Sequence, residues 1–347
     1  MLKRFKKKLV IIFLLIVSAV CIIAVLYKIN AGKEIMADTR HYNSFILFKE
    51  LSLPIVSKYM ALAGKYQSQF FFQTDDPSKL LIVDHNFSGT SFFKTGFSIS
   101  DTKGQAFIYK IHSHFLYLFV GNLSQIKRVN LIDHSIRTFK TPSVFTKVLL
   151  IDTAQFSLLG FAQKAPHGMV LQNGLIGNNE TVSFVEQALP STSFNRNYLF
   201  GMDGFLHFNR IDSNIILTPF YQTLTHILKY RSSIKNVLPS IVQDTVSEPI
   251  TGTFKQGRYT NANPKRSFQL YSGLIGDTLL VQSKVPAKED TYTFFKSHLI
   301  LDSYSLHNKH YLGSYAIPKK KNLKAKVVPY AEGIFIIYPS NIQLIKP

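Results

Sequence analysis

Short apolar and aromatic runs recur along this chain from about residue 68 onward, separated by Gly, Asn, Asp, Pro and Ser. Runs of five to eight residues between turn-forming residues are typical of β-strands in an antiparallel fold. The runs that correspond to second strands of a repeated unit centre near residues 71, 117, 158, 217, 280 and 335. Their intervals of about 40 to 65 residues match a four-stranded unit with loops of variable length. The sequence therefore predicts an all-β fold, a β-propeller of six blades.

The composition agrees with strands rather than helices. Phe (29) and Tyr (17) are abundant, Trp is absent, and only 17% of the residues are charged. Aromatic and β-branched side chains fit the pleated, half-buried surface of a sheet. No repeat is strict, however, and a β-sandwich followed by a second β-domain would produce similar runs. Other all-β architectures thus stay open as alternatives to the propeller.

Two stretches look like the outer hairpin of a propeller blade, "LILDSYSLHNKHYLGSYAIP" (299–318) and "IKRVNLIDHSIRTFKTP" (126–142). In each, an aspartate, Asp302 or Asp133, follows the third strand, and a tight turn leads to the fourth. On these stretches the chain resembles the broad TolB-like and NHL-like six-bladed propellers over roughly residues 68 to 347. The resemblance implies a ring of blades with loops presented around a central channel.

The last unit stops after its third strand, at "IQLIKP" (342–347). A propeller closes when a strand from the other end of the chain completes the last sheet. We therefore expect the N-terminal run "SFILFK" (44–49) to supply the closing strand. Residues 28–67 are otherwise expected to form a stalk and approach segment before the propeller domain of residues 68–347.

The first 27 residues predict an uncleaved membrane anchor. Residues 1–8 carry five Lys or Arg, and residues 9–27 form an uncharged apolar run. About 20 apolar residues span a bilayer, whereas a cleavable signal has a shorter apolar region of about 7 to 15. The basic cluster places residues 1–8 in the cytoplasm. We therefore expect a single-pass membrane protein whose main domain is extracytoplasmic, periplasmic or at the cell surface.

The only cysteine, Cys21, lies in that apolar run, so disulfides and cysteine chemistry are absent from the rest of the chain. Motifs for nucleophilic hydrolases and for phosphate-binding loops are missing as well. Gly174 and Gly177 in "NGLIGNN" are interpreted as turn residues. No cofactor and no metal ion are expected, and nucleic acid is disfavoured as a partner because of the expected compartment.

Three polar groupings are candidate sites, each with a simpler structural interpretation. In a strand, His112 and His114 would share one face and could bind zinc, but no third ligand is near them in sequence. His307 and His310 flank a turn, where we expect them to face solvent. Asp75 and Asp76 precede Pro77, a context in which aspartate caps a β-turn.

The most basic stretch is "PKKKNLKAKVVP", where five lysines are candidates for contact with an anionic surface: Lys319, Lys320, Lys321, Lys324 and Lys326. The alternative is a solvated loop between blades. The sequence favours a membrane-tethered binding or scaffolding module that contacts another envelope protein or an anionic polymer. The alternative function is a hydrolase or lyase of an envelope polymer with its site at the mouth of the channel. A sensory ectodomain would need a separate membrane partner for its output.

Overall fold

The computed structural model describes the following residues: 15–23, 37–53, 60–161, 169–177, 181–189, 202–231, 235–238, 252–255, 258–261, 267–320 and 323–347. Two strands come first, β1 (Tyr42–Asn43) and β2 (Ile46–Ser52), and both join sheets that are formed much later in the chain. Most of the remaining strands follow in groups of four, each group forming one antiparallel sheet in chain order; the exceptions are one two-stranded hairpin and a last group of three strands.

The first four sheets, blades I to IV, are meanders in which each strand pairs with the next. Blade I contains β3 (Ala61–Tyr66), β4 (Gln69–Gln73), β5 (Lys79–Asp84) and β6 (Thr90–Lys94). Blade II contains β7 (Ile108–His112), β8 (Phe115–Val120), β9 (Gln125–Asn130) and β10 (Ile136–Lys140). Blade III contains β11 (Phe145–Leu150), β12 (Gln155–Phe161), β13 (Met169–Ile176) and β14 (Val182–Ala188). Blade IV contains β15 (Gly204–Asn209), β16 (Asn214–Pro219), β17 (Thr225–Lys229) and β18 (Lys235–Leu238).

A separate hairpin, β19 (Gly252–Lys255) and β20 (Arg258–Asn261), precedes the last two blades. Blade V contains β21 (Gln269–Ile275), β22 (Thr278–Ser283), β23 (His298–Ser305) and β24 (His310–Pro318), and β1 joins it in parallel along β24. Blade VI contains β25 (Lys326–Tyr330), β26 (Gly333–Tyr338) and β27 (Asn341–Lys346). Its fourth and outermost strand is β2, which pairs antiparallel with β27. This is the pairing that the closure hypothesis requires.

The six sheets form a ring. The innermost strands are β3, β7, β11, β15, β21 and β25, and each contacts the innermost strand of both neighbouring blades. The predicted six-bladed β-propeller is therefore confirmed, and all six expected second strands are present, as β4, β8, β12, β16, β22 and β26. The ring begins at Ala61 rather than at residue 68, because β3 is the inner strand of blade I. Part of the expected stalk thus belongs to the propeller.

Hydrophobic cores lie between the blades, one for each of the six junctions. Successive side chains of a strand point to opposite faces, so a strand buried on both faces is apolar throughout. In β4, Phe70 and Phe72 pack toward blade VI while Phe71 packs toward blade II. This explains why the second strands are uninterrupted apolar runs in the sequence.

The segment before β1 is fixed to blade V by a buried arginine. The Arg40 guanidinium donates from Nε to Asp302 Oδ1 (2.8 Å), from Nη1 to Asp290 Oδ2 (3.0 Å) and from Nη2 to Ser283 Oγ (2.9 Å). Tyr42 donates to the other oxygen of Asp290 at 2.6 Å. Burial alone would lower the pKa of Arg40, but the two carboxylates outweigh it and raise that pKa. We call this group the Arg40 latch.

The hairpin that carries the resemblance differs from expectation at Asp302. This residue does not follow the third strand, because it is buried in the middle of β23 and bound to Arg40. The turn between β23 and β24 lies at residues 306–309, and Lys309 takes a left-handed backbone angle there (φ 56°). Pro318 ends β24.

Helices are few among the described residues. Helix α1 (15–23) lies within the expected anchor, residues 9–27, whose other residues fall outside the described ranges. Helices α2 (Ile99–Thr102) and α3 (Tyr292–Ser297) are short elements in loops. Within the part of the chain that the structure describes, no helix has the length and apolar character needed to cross a membrane.

Candidate functional site: the central channel

Polar side chains of the inner strands meet in the middle of the channel. Lys110 lies on β7 of blade II, and His207 lies on β15 of blade IV. Although blade III separates their strands, the charge of Lys110 acts on the His207 imidazole. Both residues stand on inner strands of the closed ring. His207 Nε2 is also 2.7 Å from Ser272 Oγ on β21 of blade V, so three blades contribute to this group.

Burial dominates the electrostatics of this group. Burial and the nearby Lys110 ammonium lower the pKa of His207 to about 3, so its imidazole is neutral at pH 7. Burial also lowers the pKa of Lys110, since a charged ammonium loses hydration inside the channel. Among the described residues, Lys110 has no hydrogen-bonded or ion-paired partner. Both residues retain partial exposure, as expected for side chains that line a channel.

One end of the channel is formed by the turns that follow the inner strands. Arg210, in the exposed turn after β15, acts on two residues of other blades: its charge lowers the pKa of His112 on blade II and opposes the raised pKa of Tyr330 on blade VI. The first cause is burial in both cases. The Arg210 charge therefore influences groups of two other blades at this end of the channel.

The same end carries an ion pair. Lys65 Nζ on β3 lies 2.7 Å from Glu332 Oε1, in the turn after β25, and thus joins blades I and VI. Asp152, in the turn after β11, accepts the backbone N–H groups of Ala154 and Gln155, each at 2.7 Å. The two carboxylates are therefore already bound within the fold.

The opposite end of the channel, where the inner strands begin, combines lysines with aromatic rings. Lys147 Nζ lies 3.5 Å from Asp203 Oδ1 and 5.0 Å from the centre of the Phe220 ring. Phe205 packs between Phe220 (5.1 Å) and Tyr271 (5.7 Å). This end therefore offers aromatic surface beside a cation.

Lys326 begins β25 at this end and donates from Nζ to the Met60 carbonyl at 2.9 Å. Burial lowers the pKa of Lys326 to about 8.

Cations and carboxylates are equally numerous along the inner strands and the segments next to them. The five cations are Lys65, Lys110, Lys147, Arg210 and Lys326. The five carboxylates are Asp152, Asp203, Asp212, Asp277 and Glu332, and each is bound by a hydrogen bond or an ion pair within the fold. Lys110 has no carboxylate partner among the described residues, so its ammonium group is the one that can attract an anion. Lys110 supplies three N–H donors, and Ser272 supplies a hydroxyl beside His207.

The Ser272–His207 pair has the distance of a nucleophile and its base, but its chemistry is weak. A general base works best with a pKa near the operating pH, and that of His207 is about 3. Among the described contacts no carboxylate orients the imidazole, as the third member of a catalytic triad would. The arrangement is therefore better suited to binding an anion than to acyl transfer.

The five candidate lysines do not form one surface. Lys326 Nζ donates to the Met60 carbonyl, whereas Lys320 Nζ pairs with Glu50 of β2 at 2.6 Å. Lys319 donates to the Lys296 carbonyl at 2.9 Å, and Lys324 is exposed. Lys321 lies outside the described residues. Only the lysines near β2 thus share a region of the surface.

The histidine pairs are not brought together as a metal site. β7 ends at His112, and Ser113 takes a left-handed angle (φ 54°), so His112 and His114 flank a turn and do not share a strand face. His307 and His310 are exposed at the β23–β24 turn. Asp76 caps its turn as expected, accepting the Ser78 N–H at 2.9 Å. No group of three metal-binding side chains occurs within the described ranges.

The comparisons with known proteins rest on structure alone. No family model matches the chain, and no curated protein matches it. The fold is similar to that of a DUF4221-family member from Bacteroides vulgatus, with a TM-score of 0.57 and 10% identity over 89% of this chain and 99% of that chain. It is also similar to a luciferin-regenerating enzyme, with a TM-score of 0.50 and 8% identity over 88% and 96% of the two chains. At such identities the likeness shows the fold, a six-bladed propeller.

Proposed function

We propose that this chain is a binding module that holds an anionic ligand in the central channel of its propeller. The observation that carries the proposal is the 2.7 Å contact between His207 of blade IV and Ser272 of blade V, with the Lys110 ammonium of blade II close enough to lower the pKa of the imidazole. The ligand class is a carboxylate or phosphate, free or at the end of an anionic envelope polymer. A propeller of the TolB-like or NHL-like type suits this role, since its ring is rigid and the loops around its channel can contact a ligand.

Two probes distinguish the sources of the anion: inorganic phosphate and a short oligogalacturonate. The full chain in detergent micelles is titrated with each at low salt, and its thermal midpoint is followed. A ligand at about 100 times its Kd stabilises the folded state by about 2.7 kcal/mol. We expect stabilisation by at least one probe and its loss in Lys110→Gln. The matched control is Lys94→Gln, which removes an exposed lysine from the outer strand of blade I.

Equal stabilisation of both variants would show that anions bind elsewhere, and a midpoint that neither probe moves would overturn the proposal. Phosphate alone acting would identify a phosphate site, and the oligogalacturonate alone would identify a carboxylate polymer. Either result would support anion binding and would identify the source of the anion.

The second candidate function is a hydrolase or lyase of an envelope polymer at the channel. The 2.7 Å contact between His207 and Ser272 is what favours it. Release of p-nitrophenol from p-nitrophenyl acetate tests the hydrolase: a turnover that Ser272→Ala abolishes would support it. Unsaturated product measured by ultraviolet absorbance after incubation with polygalacturonate tests the lyase. Binding of the oligogalacturonate without either product supports the binding module.

We further propose that residues 9–27 tether the propeller to the outer face of the cytoplasmic membrane. The length and charge pattern of residues 1–27 support this orientation. In a Cys21→Ser background, a membrane-impermeant maleimide added to intact cells should label Ser44→Cys and not Lys6→Cys. A mature chain that begins near residue 32 would contradict the tether.

A further inference from the structure

We propose that the outer edge of blade VI rests on the membrane surface and contacts anionic lipid. The contact surface, here called the β2 rim, consists of the exposed apolar residues Ile46, Leu47 and Phe48 and the adjacent Lys49, Lys346 and Lys320. This inference rests on the proposed tether and concerns a different part of the molecule from the channel.

The β2 rim differs from the outer edge of every other blade. Ile46, Leu47 and Phe48 are 70%, 49% and 47% exposed, although they are consecutive. Within the described residues, the outer strands of blades I to IV each expose one large apolar side chain: Phe92, Ile136, Val185 or Val237. Blade V exposes Tyr42 on its outermost strand, β1, and Leu312 on the neighbouring β24. Neighbouring side chains in a strand point to opposite faces, so three in succession are exposed only where both faces lack cover. The register with β27 shifts between Leu47 and Lys49, so Phe48 lies at an irregularity of the pairing.

Basic groups surround these apolar residues. The ammonium groups of Lys346 and Lys49 lie 3.8 and 5.2 Å from the centre of the Phe48 ring. Glu50, farther along β2, is bound to Lys320. Lys320 lies in the connection between blades V and VI, where the exposed Lys319 and Lys324 flank it. Apolar side chains next to lysines are the pattern of surfaces that insert into the boundary of an anionic bilayer.

The length of the tether holds this edge near the bilayer. Only nine residues lie between Tyr27, the last residue of the expected anchor, and Ala37, which is already paired with Ala287, so the chain makes ten residue steps from one to the other. A fully extended chain covers at most roughly 3.6 Å per residue, or about 36 Å here. The Arg40 latch prevents more chain from being released, because it fixes residues 37–43 on blade V directly before β2. The edge of blades V and VI is therefore the part of the ring that the tether keeps closest to lipid.

The absence of tryptophan from the chain allows a direct test. The full chain carrying Phe48→Trp is reconstituted into liposomes of phosphatidylcholine and phosphatidylglycerol, with or without brominated acyl chains. We expect the tryptophan emission to shift to shorter wavelength and to be quenched about twofold by the brominated lipid. Liposomes of phosphatidylcholine alone, and Lys346→Gln added to Phe48→Trp, should each reduce the quenching.

Two further single-tryptophan proteins serve as controls. Val185→Trp replaces an exposed residue (54%) on the outer strand of blade III, which is opposite blade VI in the ring. It should show no quenching. Ile16→Trp lies in α1 and reports the tether itself. If the Ile16→Trp protein is quenched while the Phe48→Trp protein is not, the rim contact is wrong and the tether stands. Equal quenching of the Phe48→Trp and Val185→Trp proteins leads to the same conclusion.

If the Ile16→Trp protein is not quenched either, the tether fails together with the inference that depends on it. A second copy of this chain is the alternative occupant of the rim. Protection of the Phe48→Trp protein from acrylamide in detergent, increasing with protein concentration, would assign the rim to self-association and overturn the lipid contact.

Discussion

Arg40 Nε donates to Asp302 Oδ1 at 2.8 Å, and Nη2 donates to Oδ2 at 3.1 Å, although 262 residues separate the two side chains. Ser314 Oγ donates to the same Oδ1 at 2.6 Å, so the carboxylate is saturated by groups from β24 and from the segment before β1. A bidentate arginine–carboxylate pair of this kind fixes orientation as well as distance. It determines where the chain enters the ring.

Arg40→Ala should lower the free energy of unfolding by about 3 to 5 kcal/mol, because it leaves two buried carboxylates without their partner. Urea unfolding of the full chain in micelles, followed by circular dichroism, measures the loss. The control is Lys288→Ala, which breaks an exposed pair with Asp38 in the same region and should cost under about 0.5 kcal/mol. Equal costs would show that the latch carries no more energy than a surface ion pair.

Replacing β2, residues 46–52, by a Gly-Ser stretch of equal length should lower the thermal midpoint by roughly 5 °C or more. The substitution removes the fourth strand of blade VI and the packing of Leu51 against the core between blades VI and I. As a control, a Gly-Ser-Gly replacement of residues 132–134, in the exposed turn after β9, should leave the midpoint nearly unchanged. A β2 variant that melts like the parent would contradict closure of the ring by this strand.

His207 makes stability depend on pH. Its pKa in the folded state, about 3, lies below the unfolded value near 6.5, so the unfolded chain takes up this proton first as the pH falls. Stability is therefore lost from about pH 6.5 downward, by about 1 to 2 kcal/mol at pH 5. His207→Gln should reduce this slope of the urea midpoint against pH. The control is His310→Gln, at an exposed turn, which should keep the parent's slope. A His207→Gln slope equal to that of the parent would show that the imidazole does not contribute.

Two glycines of one stretch should respond differently to alanine. Gly174 lies inside β13 rather than in a turn, and an added Cβ would meet the Phe156 ring at 2.3 to 2.4 Å. Gly174→Ala should therefore cost about 1 to 3 kcal/mol through overpacking. At Gly177, just after the strand, the nearest atoms lie 3.6 Å away, and alanine should cost under about 0.5 kcal/mol. Equal effects in thermal unfolding would show that the ring packing at Gly174 can adjust.

Much of the fold was predictable because the strands of most blades follow one another in the sequence. A run such as "QFFFQ" is apolar on both faces only if both faces are buried, and this condition identifies the second strand of a blade without knowledge of its neighbours. The turns were predictable for the same reason, since Asp76 caps groups two residues away. Gly174 was interpreted as a turn residue because glycine is common in turns. The sequence does not show that the Phe156 ring lies against this position of β13 and leaves no room for a Cβ.

The site was not predictable in the same way. Lys110, His207 and Ser272 occupy three different inner strands, and nothing local distinguishes a lysine that faces the axis from one that faces solvent. Their meeting depends on the closure of the whole ring. The pair of Arg40 and Asp302 was not predicted for the same reason. The two residues are 262 positions apart, and the sequence around neither of them indicates a buried ion pair.

The closing pairing of β2 with β27 also imposes an order on biosynthesis. β27 follows β2 by roughly 290 residues, so at about 5 to 20 residues per second the N-terminal strand waits roughly 15 to 60 s for its partner to be made. During that interval the edge of β2 is an unpaired template for other strands. Folding of this chain therefore requires that the edge of β2 stay free of other strands until β27 has been made.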